Sequence, residues 1–182
     1  MNRFLIDHHP DAIAKSLCDQ HIVKMPLEEA QMLCTAVRVH APLFAEGNDL
    51  YKTAYLNHPC TQWVRETAAN YRFGVRLLKA MNDEFMFRFP VRQDGTPNTG
   101  HASMRHFDAL VEAEKFIPDT TNFLTPHPQC FGPNNDHLKT DENWPISAYR
   151  AFYRVDKMKF ARYEKGRKMP HWMENEDENN QG

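Results

Sequence analysis

At 182 residues the chain is long enough for one domain with a proper core. Its 25% charged and 41% hydrophobic residues set the balance of a soluble globular protein and exclude a low-complexity or fibrous chain. No apolar run approaches the roughly 18–20 residues of a membrane span, and a net charge of −2 argues against a uniformly basic nucleic-acid coat.

The charge is uneven. The tail after Trp172, MENEDENNQG, holds four acidic residues and no basic one, whereas Arg150 to Lys168 holds eight Lys and Arg against Asp156 and Glu164. The expected organisation is therefore a single helical domain over residues 1–172, locally basic near its end, with a disordered acidic tail over 173–182. The first residues, MNRFLIDHHPDA, place acid and histidine where a signal peptide needs a longer apolar stretch. The expected location is the cytoplasm, that of the host if the chain is phage-encoded. Cys18, Cys34, Cys60 and Cys130 show no paired CxxC spacing and are expected as reduced thiols.

In chain order, Arg3-Phe4-Leu5-Ile6 suits a short extended arm. Asp7-His8-His9-Pro10 opens a helix to about Cys18, capped by Asp7 or Asp11. Leu17 to His40 carries two stripes at helical spacing. Ile22, Met25, Met32, Leu33 and Ala36 form a core stripe. His21, Lys24, Glu28, Gln31 and Thr35 stack along another side. That polar side reads either as an active-site wall or as a solvated face with an i,i+4 ion pair between Lys24 and Glu28. Pro26 predicts a kink or a fresh helix start inside the run.

Pro42 and Glu46-Gly47-Asn48-Asp49 mark a loop. Pro59 to about Arg88 predicts one long helix, with Trp63, Val64, Ala68, Tyr71, Leu77, Leu78, Met81 and Phe85 toward the core. Arg65, Arg72, Arg76 and Lys79 make a basic stripe along it, either a solvated face or a track for phosphates. Gly74 in its middle signals a close approach or a break. Pro90 to Gly100 is a loop, Ala102 to Lys115 returns to helical spacing, and Pro118 to Trp144 is a long Pro-rich stretch that is functional or packed across the body. A last helix is predicted from about Pro145 to Tyr163. Its Tyr149, Phe152, Tyr153 and Phe160 among cations read either as base-stacking groups or as core aromatics with snorkelling cations. There is no internal repeat and no β pattern. The fold expected is all-α, a compact single-domain helical bundle with a short N-terminal arm and long Pro-rich loops.

Ten histidines invite a metal reading. His8-His9, His21 and His127-x2-Cys130-x6-His137 are the nearest ligand sets, and none has zinc spacing, so no metal and no cofactor are expected. No glycine-rich phosphate loop, G-x-S-x-G or H-E-x-x-H occurs.

Leu17-Cys18-Asp19-Gln20-His21, with Glu28 seven residues after His21, resembles the first helix of the phage pyrimidine-dimer DNA glycosylases, the endonuclease V family. The similarity continues to Val37-Arg38-Val39-His40, and Pro170-His171-Trp172 looks like that family's aromatic C-terminal segment. The neighbourhoods of His58-Pro59-Cys60 and Asn70-Tyr71 are similar to uncharacterised phage-encoded proteins. The resemblance implies a small helical enzyme in which an N-terminal α-amine attacks the sugar C1′ and a glutamate supports ring opening and β-elimination.

Carried over, Glu28 is the carboxylate, the amine of Met1 the nucleophile, and His21 a further catalytic residue. Arg3, Lys24, Gln31, Arg65, Arg72, Arg76 and Tyr71 become substrate-binding candidates, with DNA or a nucleotide as partner, no membrane, and a monomer. Where the family has arginines beside its glutamate, this chain has Leu27 and Gln31. The function implied is a glycosylase with abasic-site lyase activity on damaged or modified pyrimidines. The alternatives are a non-catalytic phage accessory protein that binds a nucleotide, nucleic acid or host protein, and a base-modifying enzyme on the same scaffold.

Overall fold

The structure, a computed structural model, describes residues 2–174. Among these residues the chain is all-α, its one β feature being an isolated bridge between Val91 and Pro97. The arm is buried from Arg3 to Ile6. It leads into α1 (Pro10–Ser16) through a turn that Asp7 closes, its Oδ1 accepting the backbone N–H of His8 at 2.7 Å and of His9 at 3.3 Å.

The central element is α2 (Asp19–His40). Its stripe of Ile22, Met25, Met32, Leu33 and Ala36 is buried as the periodicity predicts. Pro26 does not begin a new helix: α2 runs through it as one element. Tertiary packing on the buried face outweighs the hydrogen bond that proline cannot make. After α2, the stretch expected as loop folds first into α3 (Pro42–Gly47), with Pro42 in its first turn.

The long helix expected from Pro59 to Arg88 is two. Thr67 separates α4 (Pro59–Glu66) from α5 (Ala68–Arg88), and its extended backbone lets its side chain accept the N–H of Asn70 at 3.1 Å. A threonine N-cap thus overrode an apolar pattern that alone would continue the helix. The split also breaks the predicted basic stripe, leaving Arg65 on one helix and Arg72, Arg76 and Lys79 on the next. Gly74 marks a close approach. A Cβ there would stand 2.7 Å from Glu29 Oε1 and 3.0 Å from Val64 Cγ2, so α2, α4 and α5 meet at a position without a side chain.

Ala102 to Phe116 divides into a 3₁₀ turn (Ala102–His106), α6 (Phe107–Glu112) and a second 3₁₀ turn (Ala113–Phe116). The Pro-rich stretch packs across the body. Trp63 Nε1 donates to Thr125 O at 3.1 Å, and Asn70 Nδ2 donates to Thr125 Oγ1 at 2.7 Å. The final long helix is shorter than expected: α7 spans Ile146–Lys157. Tyr149, Phe152 and Tyr153 are buried, which removes them as stacking platforms for bases and makes them core. Packing continues through Met173, which is fully buried in a 3₁₀ turn, and the rest of the predicted acidic tail, residues 175–182, lies outside the described residues.

Arg88 fastens the start of α2 to the end of α5. Its guanidinium donates to Glu84 Oε1 at 2.7 Å, to Asp19 Oδ1 at 2.9 Å, and to the carbonyls of Leu17 and Lys15. No helix among the described residues is long and apolar enough to cross a membrane.

Candidate active site

Glu28 and Glu29 are consecutive on α2, and a turn of about 100° per residue sends them to different places. Glu29 points inward to Arg3. Arg3 Nε donates to Glu29 Oε2 at 3.0 Å, and Arg3 Nη2 pairs with Glu29 Oε1. Both side chains are almost wholly out of solvent, and the guanidinium stands over the Trp63 ring, 4.9 Å from its centroid. Burial pushes the Glu29 carboxyl above the ordinary range, against the pull of Arg3.

Glu28 stays at the rim with its side chain 12% exposed. Its Oε2 accepts the backbone N–H of Asn2 at 3.0 Å, and its Oε1 lies 3.1 Å from Lys24 Nζ. Asn2 is held from its other side as well. Its Nδ2 donates to the carbonyl of Cys130 at 2.8 Å, and its Oδ1 accepts the N–H of Arg3 at 2.8 Å. The buried pair below and the Asn2 contacts above fix the start of the arm against one carboxylate of α2.

Next to the Asn2 side chain, Cys60 and Cys130 bring their sulfurs to 3.7 Å, and Asn2 Oδ1 is 4.0 Å from Cys60 Sγ. Contact with Cys130, then burial, pushes the Cys60 thiol well up, while the same contact holds the Cys130 thiol below its usual range.

The remaining sequence candidates scatter. Met1 lies outside the described residues. His21 is buried, stacked on Phe4 with centroids 4.8 Å apart, and its Nδ1 is 2.7 Å from Tyr153 Oη. Burial, aided by Lys157 and Lys24, lowers its pKa to about 3, so it is neutral at physiological pH. Seven residues along one helix separate it from Glu28 by roughly 10 Å of rise, so the two are not brought to one point. Arg3 and Tyr71 were expected on substrate but are buried. Arg3 is spent on Glu29, and Tyr71 donates its hydroxyl to Leu110 O at 2.9 Å.

Lys24 is exposed beside Glu28, and Gln31 is half-buried one turn further along. Arg72 and Arg76 line a surface groove with His8, His9 and Asn122. Arg72 is paired with Glu114 at 2.6 Å, which leaves exposed Arg76 as the more available cation of the two. Arg65 is not part of that lining and donates to Leu56 O at 3.1 Å.

Asn2, Glu29 and the Cys60–Cys130 contact were not found from sequence. The only available signal for Glu29 was its position beside a motif glutamate, and nothing in the spacing joins Cys60 to Cys130.

Comparison with curated proteins and with solved structures finds no match. Residues 1–88, the stretch from the arm to the end of α5 that carries Glu28, match the family model of the pyrimidine dimer DNA glycosylases, which supports that family over this part of the chain.

Proposed function

We propose that the protein is a DNA glycosylase with abasic-site lyase activity that excises damaged or modified pyrimidines. The observation that carries this reading is the 3.0 Å bond from the Asn2 N–H to Glu28 Oε2, inside the segment that matches the family. It brings the start of the arm to the one carboxylate that the motif marks.

An α-amine has an unperturbed pKa of about 8, so part of it is neutral and nucleophilic at neutral pH. Its attack on C1′ forms a C–N bond as the glycosidic bond breaks, and the base leaves with the bonding pair and takes up a proton. The added nitrogen loses a proton, and its lone pair then forms C1′=N as the C1′–O4′ bond breaks and O4′ takes up a proton, giving an iminium whose positive charge the Glu28 carboxylate stabilises. Removal of a C2′ proton then expels the 3′ phosphate by β-elimination. Reaching C1′ in a duplex requires that the nucleotide be extruded or the stack distorted. Lys24 and Arg76 supply exposed cations for the phosphates. Neutral His21 shapes the arm's seat and takes no part in proton transfer.

The test is incision of a duplex carrying a single pyrimidine dimer. The wild-type chain cleaves it and Glu28→Gln does not. Cleavage by Glu28→Gln at the wild-type rate would overturn the proposal. Duplex binding without product from either form would favour the non-catalytic accessory reading.

A further inference from the structure

We propose that His58, Cys60 and Cys130 form a zinc-binding site with an open fourth position, set beside the N-terminal arm. One ligand atom from each of the three side chains lies within 4.8 Å of the others. The two sulfurs are 3.7 Å apart. That is far beyond the ~2.05 Å of a disulfide. It matches the edge of a tetrahedron with Zn–S bonds of ~2.3 Å, which is about 3.8 Å. His58 Nδ1 now accepts the Cys60 N–H at 3.2 Å, so ligation through Nδ1 would replace that cap bond with a bond to the metal.

The site is assembled by structure that is independent of any metal. His58 is the N-cap of α4 and Cys60 lies in its first turn, so one helix start presents both. Cys130 comes from the Pro-rich stretch. Its carbonyl accepts Asn2 Nδ2 at 2.8 Å, and its N–H faces Tyr149 Oη at 3.5 Å. Cys60 is fully buried, while His58 and Cys130 are half-buried, which leaves a path for an ion.

Two thiolates and one neutral imidazole favour a borderline-soft ion over magnesium or calcium, and two thiolates balance the charge of Zn²⁺. With three protein ligands the fourth position is left for water. Asn2 touches the cluster through its side chain and Glu28 through its backbone N–H, so loading the site would stiffen the seat of the arm. Zinc binding itself does not depend on the glycosylase reading.

The experiment is titration of the reduced, full-length protein with Co²⁺, then displacement by Zn²⁺. The expected result is one equivalent of tetrahedral cobalt with thiolate-to-metal charge-transfer absorption, bleached by zinc. Cys130→Ser should reduce that absorption and weaken zinc affinity by at least tenfold, and His58→Gln should weaken it similarly. Cys34→Ser, which alters a buried thiol outside the cluster, should leave both unchanged. Circular dichroism checks that each variant is folded. No charge-transfer band from the reduced protein, or a band and affinity unchanged in folded Cys130→Ser, would overturn the proposal.

Discussion

Arg3 and Glu29 form a buried pair joined by two hydrogen bonds, and this pair sets where Asn2, the residue before Arg3, meets Glu28, the residue before Glu29 on α2. Breaking it by removing one partner leaves a charge without compensation in the core. Arg3→Met should therefore destabilise the protein by about 3–5 kcal/mol, reduced to the extent that Glu29 takes up a proton. The double variant Arg3→Met, Glu29→Leu should recover most of the loss in a denaturation series, since paired apolar replacements are often neutral. If the single and double variants were equally unstable, the pair would not be what holds the arm.

Gly74→Ala offers a second test of the same junction. On an ordinary helix the change would stabilise by about 1 kcal/mol. Here the new Cβ meets Glu29 Oε1 at 2.7 Å, and that oxygen is held by Arg3. The expected net effect is a loss of about 1–3 kcal/mol, read as a lowered denaturant midpoint. A raised midpoint would mean that α2 and α5 separate freely.

The junction also shows what was legible in the sequence. The core stripe of α2, buried Tyr71 on α5 and the all-α class follow from helical periodicity, because burial repeats with the helix turn. Periodicity put Glu28 on a polar stripe, and only the motif singled it out from Lys24 and Gln31. The break at Thr67 was not, because a side-chain cap competes locally with a pattern that spans both helices. Arg3 looks like a surface group by residue type yet finds a buried partner 26 residues away, while Tyr71, which periodicity turns toward the core, has its hydroxyl used by Leu110 O and not by a substrate. His58, Cys60 and Cys130 were missed because the sulfurs come from positions 70 residues apart. His127, in the nearest sequence spacing to Cys130, packs instead among Trp63, Trp144 and Tyr149.

His21 should make stability depend on acidity. Its folded pKa of about 3 lies below the ordinary 6.5, so the unfolded chain binds the proton more readily. The stabilising contribution is fully present above about pH 6.5 and is lost as pH falls toward about 3. His21→Gln should flatten the stability–pH slope in that window by roughly one proton. An unchanged slope would show that His21 titrates freely in the folded state.

Lys24→Gln separates binding from folding. Lys24 is 66% exposed and its pair with Glu28 is a surface one. Its removal should change stability by no more than about 0.5–1 kcal/mol. If Lys24 meets a phosphate, the slope of log affinity for duplex DNA against log salt should fall by about one. An unchanged slope would place the DNA backbone elsewhere.

The central claim is that the start of the arm and Glu28 work as one excision site, and borohydride trapping tests it most directly. The full chain is incubated with a labelled duplex carrying a pyrimidine dimer, reduced, and resolved on a denaturing gel. The account predicts a covalent protein–DNA band that disappears when the α-amine is blocked and that Glu28→Gln reduces by about 10²-fold or more. A band of equal strength from the amine-blocked chain, or no band from the wild-type chain on a duplex that it incises, would contradict it.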